Sequence, residues 1–507
     1  MAKYLMGLDN GGTTTKAVIF DLEGNTIAIS NKQTELLALG GGRTERDMEQ
    51  LWEVNCEVIR EAVASAGIDA EEILGLSLSG HGKGLYLWGK DNRPAYNGIV
   101  STDTRAYRYP EKWEADGTAD RIFAKTCQRI LPSQPVSLVR WLMDNEPQVI
   151  EKTQWIFGVK DYIRFRLTGQ AAAEMTDFSG SNLVNIKEAA YDRELLDAFG
   201  LGDIYGKLPP LKYSTEITGH ITEESSGKTG LKAGTPVAAG MFDIDASAIA
   251  MDITDQDKLC VIAGTWSINE YISKEPVLNK TVMMNSLYCL PGYYLVEECS
   301  PTSAANNEWF IGRFMEKEKE QARKEGASIY EAMNRMVEGV SPEEQDILFL
   351  PYIFGSNYNP LAKACFIGME SHHSKAQIAR AVYEGIVFCH KVHIEKLLKN
   401  NPNLRTVRLA GGAANSAVWV QIFADVLDLP IETIDTKELG ALGAAMAAGV
   451  AAGVYEDLQD AAKKIVKIKD RVEPIQKNVE TYRRKYRLYR EAEEALDGLW
   501  KKFRVSE

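Results

Sequence analysis

The chain has 507 residues, 45% hydrophobic and 25% charged, an ordinary globular composition. At roughly 100–200 residues per domain this is enough for two to four domains. With 58 Lys and Arg against 71 Asp and Glu, the net charge of -13 argues against a general nucleic-acid binder.

The first residues lack the apolar stretch of a signal peptide. Seven Cys without a C-x-x-C pair and six scattered His argue against a disulfide framework and structural zinc, so a reduced, cytoplasmic protein is expected.

Residues 4–9 read as a strand, 10–15 as a Gly-rich turn and 17–21 as a second strand, so the chain opens on a β-hairpin. A P-loop needs a strand followed by a helix, and G-x-x-x-x-G-K-[ST] occurs nowhere. The turn reads Asp9-Asn10-Gly11-Gly12-Thr13-Thr14-Thr15-Lys16. Its glycines let backbone N–H groups approach an anion, and its hydroxyls and Lys16 suit phosphate oxygens. Asp9, at the strand end, suits Mg2+, which prefers oxygen ligands. A plain hairpin whose hydroxyls cap its backbone accounts for the same residues equally well.

Asp47, with Gln50 three residues on, marks a helix start, and Leu51, Val54, Val58, Ile59 and Ala62 form its apolar stripe. Residues 73–79 form a short apolar strand stopped by Gly80. Next come His81-Gly82-Lys83-Gly84 and, further on, Ser101-Thr102-Asp103-Thr104-Arg105. The glycines are expected to place His81 and Lys83 at a surface. Asp, Lys and Arg suit a polyhydroxylated ligand, because each hydroxyl both donates and accepts. A solvated charged loop is the alternative reading. The apolar strand 236–239 ends in Gly240-Met241-Phe242-Asp243-Ile244-Asp245. A carboxylate at a strand end is a candidate general base. Asp243 fits better than Asp245 because it comes first, and either also suits the N-cap of a following helix.

The second half repeats this order. Residues 259–272 read strand–turn–strand around Gly264-Thr265-Trp266-Ser267, a hydroxyl-bearing hairpin that alone is no more than a hairpin. A long helix covers 374–398. The short strand 407–409 then runs into Gly411-Gly412-Ala413-Ala414-Asn415. This Gly pair lets a nucleotide approach the backbone, or simply turns strand into helix. Residues 439–454 are uncharged and rich in Ala and Gly. They fall short of the roughly 20 residues that span a bilayer and read as a tightly packed buried helix. The tail 474–503 carries Val479, Tyr482, Tyr486 and Tyr489 at helical spacing, an amphipathic helix docked on the core. The recurring Gly-Thr turns and Gly-ended strands imply an internal duplication into two α/β domains, 1–250 and 251–507.

In this order the segments resemble the FGGY carbohydrate kinases over essentially the whole chain. The likeness rests on D-N-G-G-T-T-T-K at 9–16, Asp243 after its strand, G-T-W-S at 264–267, S-N-Y-N-P at 356–360, G-G-A-A-N at 411–415 and L-G-A-L-G-A-A at 439–445. The resemblance implies two domains of ribonuclease H-like (actin/hexokinase-like) fold around a central cleft. It implies transfer of the γ-phosphoryl group of ATP, with Mg2+, to a sugar hydroxyl, and a homodimer as a family-level expectation. Asp243 is then the catalytic base, and Asp9 organises the metal. Thr13, Thr14, Lys16, Gly264, Thr265, Gly411, Gly412 and Asn415 bind the nucleotide. Gly82, Lys83, Asp103 and Asp243 contact the sugar.

G-K-G-L at 82–85, S-T-D-T-R-A at 101–106, P-V-S-L-V-R-W-L at 135–142 and S-P-T-S at 300–303 look most like the L-xylulose kinase branch, although His81 stands where that branch carries Gln. The resemblance thus implies L-xylulose or a related ketose, with another ketose or a polyol such as erythritol as the alternative. A non-catalytic sugar or nucleotide sensor on the same fold is a second class. A dehydrogenase is disfavoured because the dinucleotide fingerprint is missing.

Overall fold

The computed structural model describes residues 3–436 and 438–503. The chain packs as two compact units, neither continuous in sequence. The first runs through Thr254 and adds Ile272–Val296 and Thr436–Val466; the second holds Asp255–Tyr271, Glu297–Asp435 and the chain from Lys467 onward.

The first unit is built on a mixed sheet of β1 (Tyr4–Asn10), β2 (Thr14–Asp21), β3 (Thr26–Gln33), β4 (Ile73–Gly80), β5 (Ile217–His220), β6 (Pro236–Ala238) and β7 (Met241–Phe242). The spatial order is β5-β6-β4-β1-β2-β3, with β7 also paired to β4. The expected opening hairpin is present: β1 and β2 run antiparallel, with Asp9 opposite Lys16. Strands β1 and β4 are parallel and almost continuously buried, as expected of strands covered on both faces.

The Met48–Ala66 helix packs on β2 and β3. It starts where expected, with the Asp47 side chain accepting from the Gln50 N–H at 2.8 Å. The Ala- and Gly-rich run forms the Leu439–Ala451 helix, packed on β1 and β4. Its composition follows from how closely it packs. A Cβ on Gly7 would lie 1.9 Å from the Ala441 carbonyl oxygen, and one on Gly443 would lie 2.1 Å from that of Ala246. Among the described residues no helix is long and apolar enough to cross a membrane.

A second sheet contains β8 (Lys258–Ala263), β9 (Ser267–Ser273), β10 (Tyr294–Ser300), β11 (Thr406–Gly411), β12 (Ile431–Ile434) and β13 (Ile468–Val472). They lie in the order β10-β9-β8-β11-β12-β13. Four pairings repeat those of the first sheet: an antiparallel hairpin, a parallel neighbour on its first strand, a further parallel strand and an antiparallel one beyond it. The duplication inferred from two short echoes therefore extends across these five strands.

The Lys375–Asn400 helix opens with a capping box between Ser374 and Gln377. The C-terminal helix, Gln476–Trp500, buries Val479, Tyr482, Tyr486 and Tyr489. It is tied to the Lys375–Asn400 helix by Glu384, whose carboxylate meets Arg380 Nε at 2.8 Å and Lys485 Nζ at 2.5 Å.

Candidate active site

In the first unit three parallel strands end side by side. Asp9 of β1 pairs in register with Ser79 of β4, and Met241 of β7 pairs with Ser79 from the other side. Open α/β sheets place ligands at the carboxyl ends of such strands. Asp9, the loop after Gly80 and Asp243 share that edge because the register puts them there, although more than 230 positions separate the first from the last.

Asp243 is the first residue of the Asp243–Ala250 helix, with Phe242 at the cap position. Neither it nor Asp245 takes the N-cap position foreseen as an alternative. Burial pushes the Asp243 carboxyl well above the usual carboxylate range; the charges of Asp9 and Asp177 push the same way, and Lys83 opposes them. Asp9 is also raised by burial, against a hydrogen bond from Ser79 and the charge of Lys16. The Ser79 hydroxyl donates to Asp9 at 2.9 Å. Asp177, raised by burial to about 6, pairs with the buried Lys160 at 3.1 Å. Sequence reasoning missed Asp177 and Lys160, although Gly180 and Gly158 stand close to them in the chain.

At the hairpin, Gly12 and Thr13 are exposed and Thr15 is buried. Thr15 lies against Asn10 at 3.4 Å, so of the three hydroxyls it is the one turned to the interior. The tip is held from behind: Arg46 donates to the Gly12 carbonyl, and the Thr34 N–H donates to that of Thr13 at 2.9 Å. Lys16 is paired with Glu438 at 2.8 Å.

The loop after Gly80 departs from expectation. Lys83 is partly exposed, but His81 is only 5% exposed and faces the interior. Its Nδ1 lies 3.3 Å from the Gly82 carbonyl oxygen and its Nε2 lies 3.0 Å from the Tyr86 hydroxyl. A carbonyl only accepts, so Nδ1 carries the proton and Tyr86 donates to Nε2. Burial lowers the imidazole to about 3, which keeps it neutral at physiological pH. The two glycines were read as exposing this loop; at Gly82 the glycine instead makes room, because a Cβ there would sit 2.4 Å from the Phe242 ring.

Asp103 is fully buried. Its carboxylate is taken up by Arg105 at 2.8 Å and by the Thr44 N–H at 2.7 Å, and Arg105 also meets Glu45 at 2.7 Å.

In the second unit the β8–β9 turn and the end of β11 meet: Ala263 pairs with Gly411. Gly264, Thr265 and Gly412 line one cleft of about 680 Å³ together with Ala304, Glu308 and Trp309. Asn415 is exposed and lies 3.5 Å from the Gly411 carbonyl oxygen. The Ala305–Phe314 helix that carries Glu308 and Trp309 was not foreseen; its only signal was the preceding S-P-T-S segment. Ser267, grouped with the turn hydroxyls, is fully buried. It lies 3.0 Å from Nδ1 of His390, whose Nε2 lies 2.8 Å from Ser303. Among the described residues no three His, Cys, Asp or Glu side chains converge as a ready metal cage.

Family models match on both sides of the chain: the N-terminal domain of the FGGY family of carbohydrate kinases over residues 4–250 and its C-terminal domain over 259–452. The chain belongs to the FGGY family of carbohydrate kinases. It is 34% identical over 499 residues to the L-xylulose/3-keto-L-gulonate kinase of Escherichia coli, covering 98% of each. It is 33% identical over 497 residues to a probable L-xylulose kinase of Pasteurella multocida, covering 98% of this chain and 99% of that one. A gluconate kinase structure from Lactobacillus acidophilus superimposes with a TM-score of 0.89 at 25% identity, covering 99% of this chain and 100% of that one. The chain is thus an ATP-dependent sugar kinase, similar to the L-xylulose kinase branch, and its two-domain α/β fold is that of solved sugar kinases.

Proposed function

We propose that this FGGY kinase phosphorylates a small keto sugar, L-xylulose or a close relative, with Asp243 as general base. The observation that carries the reading is the electrostatic setting of Asp243 at the shared strand edge. A carboxylate raised well above its usual range by burial and by two like charges is a stronger base, matched to taking a proton from a sugar hydroxyl. A sensor has no use for so costly a carboxylate.

Asp9 offers a carboxylate of the kind Mg2+ uses, one or two such groups completed by phosphate and water. When bound, the ion would neutralise phosphate charge. Thr13 and Thr14 at the hairpin tip present backbone and hydroxyl donors to phosphate oxygens, with Lys16 as a nearby cation. Gly264, Thr265, Gly411, Gly412 and Asn415 are assigned to the nucleotide. Gly264 and Gly412, which line the cleft, leave backbone free to approach it. Gly82, Lys83 and Asp103 are assigned to the sugar side, Lys83 by direct charge and Asp103 through its hold on Arg105 and Thr44. Phosphoryl transfer needs little more than in-line positioning, charge stabilisation and one residue to orient the nucleophile.

The choice of sugar rests on the named relatives, one of which carries both L-xylulose and 3-keto-L-gulonate in its name. The test is ADP release with Mg-ATP over L-xylulose, D-xylulose, 3-keto-L-gulonate, erythritol and glycerol, with a no-sugar blank. Turnover of L-xylulose well above D-xylulose and glycerol is expected. A preference for erythritol or glycerol would overturn the sugar assignment, and normal turnover by Asp243→Asn would overturn the base.

A further inference from the structure

The peptide that presents Asp243 is held by a buried polar scaffold with no part in the reading above. Glu174 is fully buried and acts as N-cap of the Met175–Ser179 helix. One of its oxygens accepts from the Thr176 hydroxyl at 2.7 Å. The other accepts from the Thr176 N–H and the Ser214 hydroxyl, each at 2.9 Å. Lys160, also fully buried, lies 3.4 Å away and balances the charge.

Two arms lead from this carboxylate to the strand before Asp243. In the first, the Phe242 N–H donates to the Thr176 hydroxyl oxygen at 2.9 Å. An ionised carboxylate only accepts, so the Thr176 proton points at Glu174 and its lone pair is left for Phe242. In the second, Ser214, anchored on Glu174 by its side chain, accepts the Gly240 N–H on its carbonyl at 3.1 Å. Arg164 adds a hydrogen bond to the Ala239 carbonyl. The chain is therefore gripped at 239, 240 and 242, immediately before the proposed base.

We propose that Thr176, anchored by Glu174, is a positioning residue for Asp243: its hydroxyl sets where the base stands relative to the sugar hydroxyl. This rests on the assignment of Asp243 as base. Proton transfer needs the base within hydrogen-bond reach of the nucleophile, and a shift of about 1 Å in a reacting group can cost roughly 100-fold in rate. A buried carboxylate held by donors from Thr176 and Ser214 and balanced by Lys160 resists such a shift.

The test compares Thr176→Val, which keeps shape and removes the hydroxyl, with Thr176→Ser, which keeps the hydroxyl, using the full chain and the panel sugar of highest turnover. For Thr176→Val, kcat should fall roughly 10- to 100-fold with KM for ATP little changed. Thr176→Ser should recover most of that loss. Parent-like kcat in Thr176→Val, or equal losses in the two variants, would overturn the proposal. Should Thr176→Val fail to fold, Ser214→Ala removes one arm at the same anchor: reduced kcat at unchanged KM for ATP supports the proposal, and unchanged kcat overturns it. Normal turnover by Asp243→Asn would remove the base and this proposal together. An inactive Asp243→Asn beside a fully active Thr176→Val would remove this proposal alone.

Discussion

Gly440, in the first turn of the Leu439–Ala451 helix, lies directly against the carboxylate of Asp9. A Cβ at position 440 would meet the Asp9 carboxylate carbon at 2.9 Å and its two oxygens at 2.9 and 3.0 Å. On propensity alone, Gly to Ala in a helix gains about 1 kcal/mol. Here the added methyl would have to displace the acid assigned to organise Mg-ATP. Gly440→Ala is therefore expected to raise KM for Mg-ATP several-fold and to lower kcat, without the rise in Tm that propensity promises. Steady-state kinetics over a Mg-ATP range, beside a melting curve, checks both; unchanged kinetics would show that Asp9 is free to move.

Gly82 and Phe242 make a second such pair. A Cβ on Gly82 would lie 2.4, 2.7 and 2.9 Å from three atoms of the Phe242 ring, and a ring in a packed site cannot swing aside as a flexible chain end can. Overpacking of this kind costs about 1–3 kcal/mol, and the residue displaced adjoins Asp243. Gly82→Ala is expected to lower both Tm and kcat, and Gly82→Ala with Phe242→Leu to regain part of each. A double-mutant cycle measures the coupling.

The setting of Asp243 fixes the sign of two pH effects. Its carboxyl is raised in the folded chain, chiefly by burial. Between the ordinary carboxylate value and the raised one, the folded state keeps a proton that the unfolded state has lost. Stability therefore declines as pH rises through that window. Asp243→Asn removes this penalty, so it should melt higher than the parent at pH 7–8, with the difference shrinking towards about pH 4. Catalysis has the opposite sense: the base must be ionised, so kcat/KM should fall as pH drops through the raised value, higher than for an exposed carboxylate. Melting curves and rates across pH 4–9 test both. A destabilised Asp243→Asn at neutral pH would contradict the strain assigned to this carboxylate.

In the second unit, Glu384 carries the charge balance of a buried knot. Its oxygens accept from Arg380 Nε at 2.8 Å, the Tyr482 hydroxyl at 3.1 Å, Gln345 at 2.7 Å and Lys485 at 2.5 Å. Breaking a buried ion pair on one side costs about 3–5 kcal/mol, because the remaining charge is left uncompensated. Glu384→Gln should cost that much in chemical denaturation. Burial already lowers Lys485, so the deficit should shrink as pH rises and the amine sheds its proton. A loss below about 1 kcal/mol would show the knot to be dispensable.

Much of this was legible in the sequence because it depends on local chemistry. The opening hairpin, the helix capped by Asp47, the buried Ala- and Gly-rich helix and the docked tyrosine-bearing helix all follow from turn residues and periodicity, which act over a few positions. The ordered motifs were enough to reveal the kinase family, since each turn carries its own backbone requirement. What the sequence could not show was which side chains the register brings together.

Asp177 reaches Asp243 electrostatically through the fold, and Lys160 enters by pairing with Asp177; nothing local in the chain announces either contact. His81 read as exposed, because glycines usually open a loop; its burial depends on Tyr86 and on the packing of Phe242 against Gly82. Asp103 read as an available carboxylate, yet Arg105 and Thr44 enclose it. Electrostatics and close packing act through space, and their partners lie from a few residues to some hundreds apart along the chain. Local chemistry therefore determined the elements and the family, and tertiary contacts alone decided the charge state, burial and support of the residues assigned to the reaction.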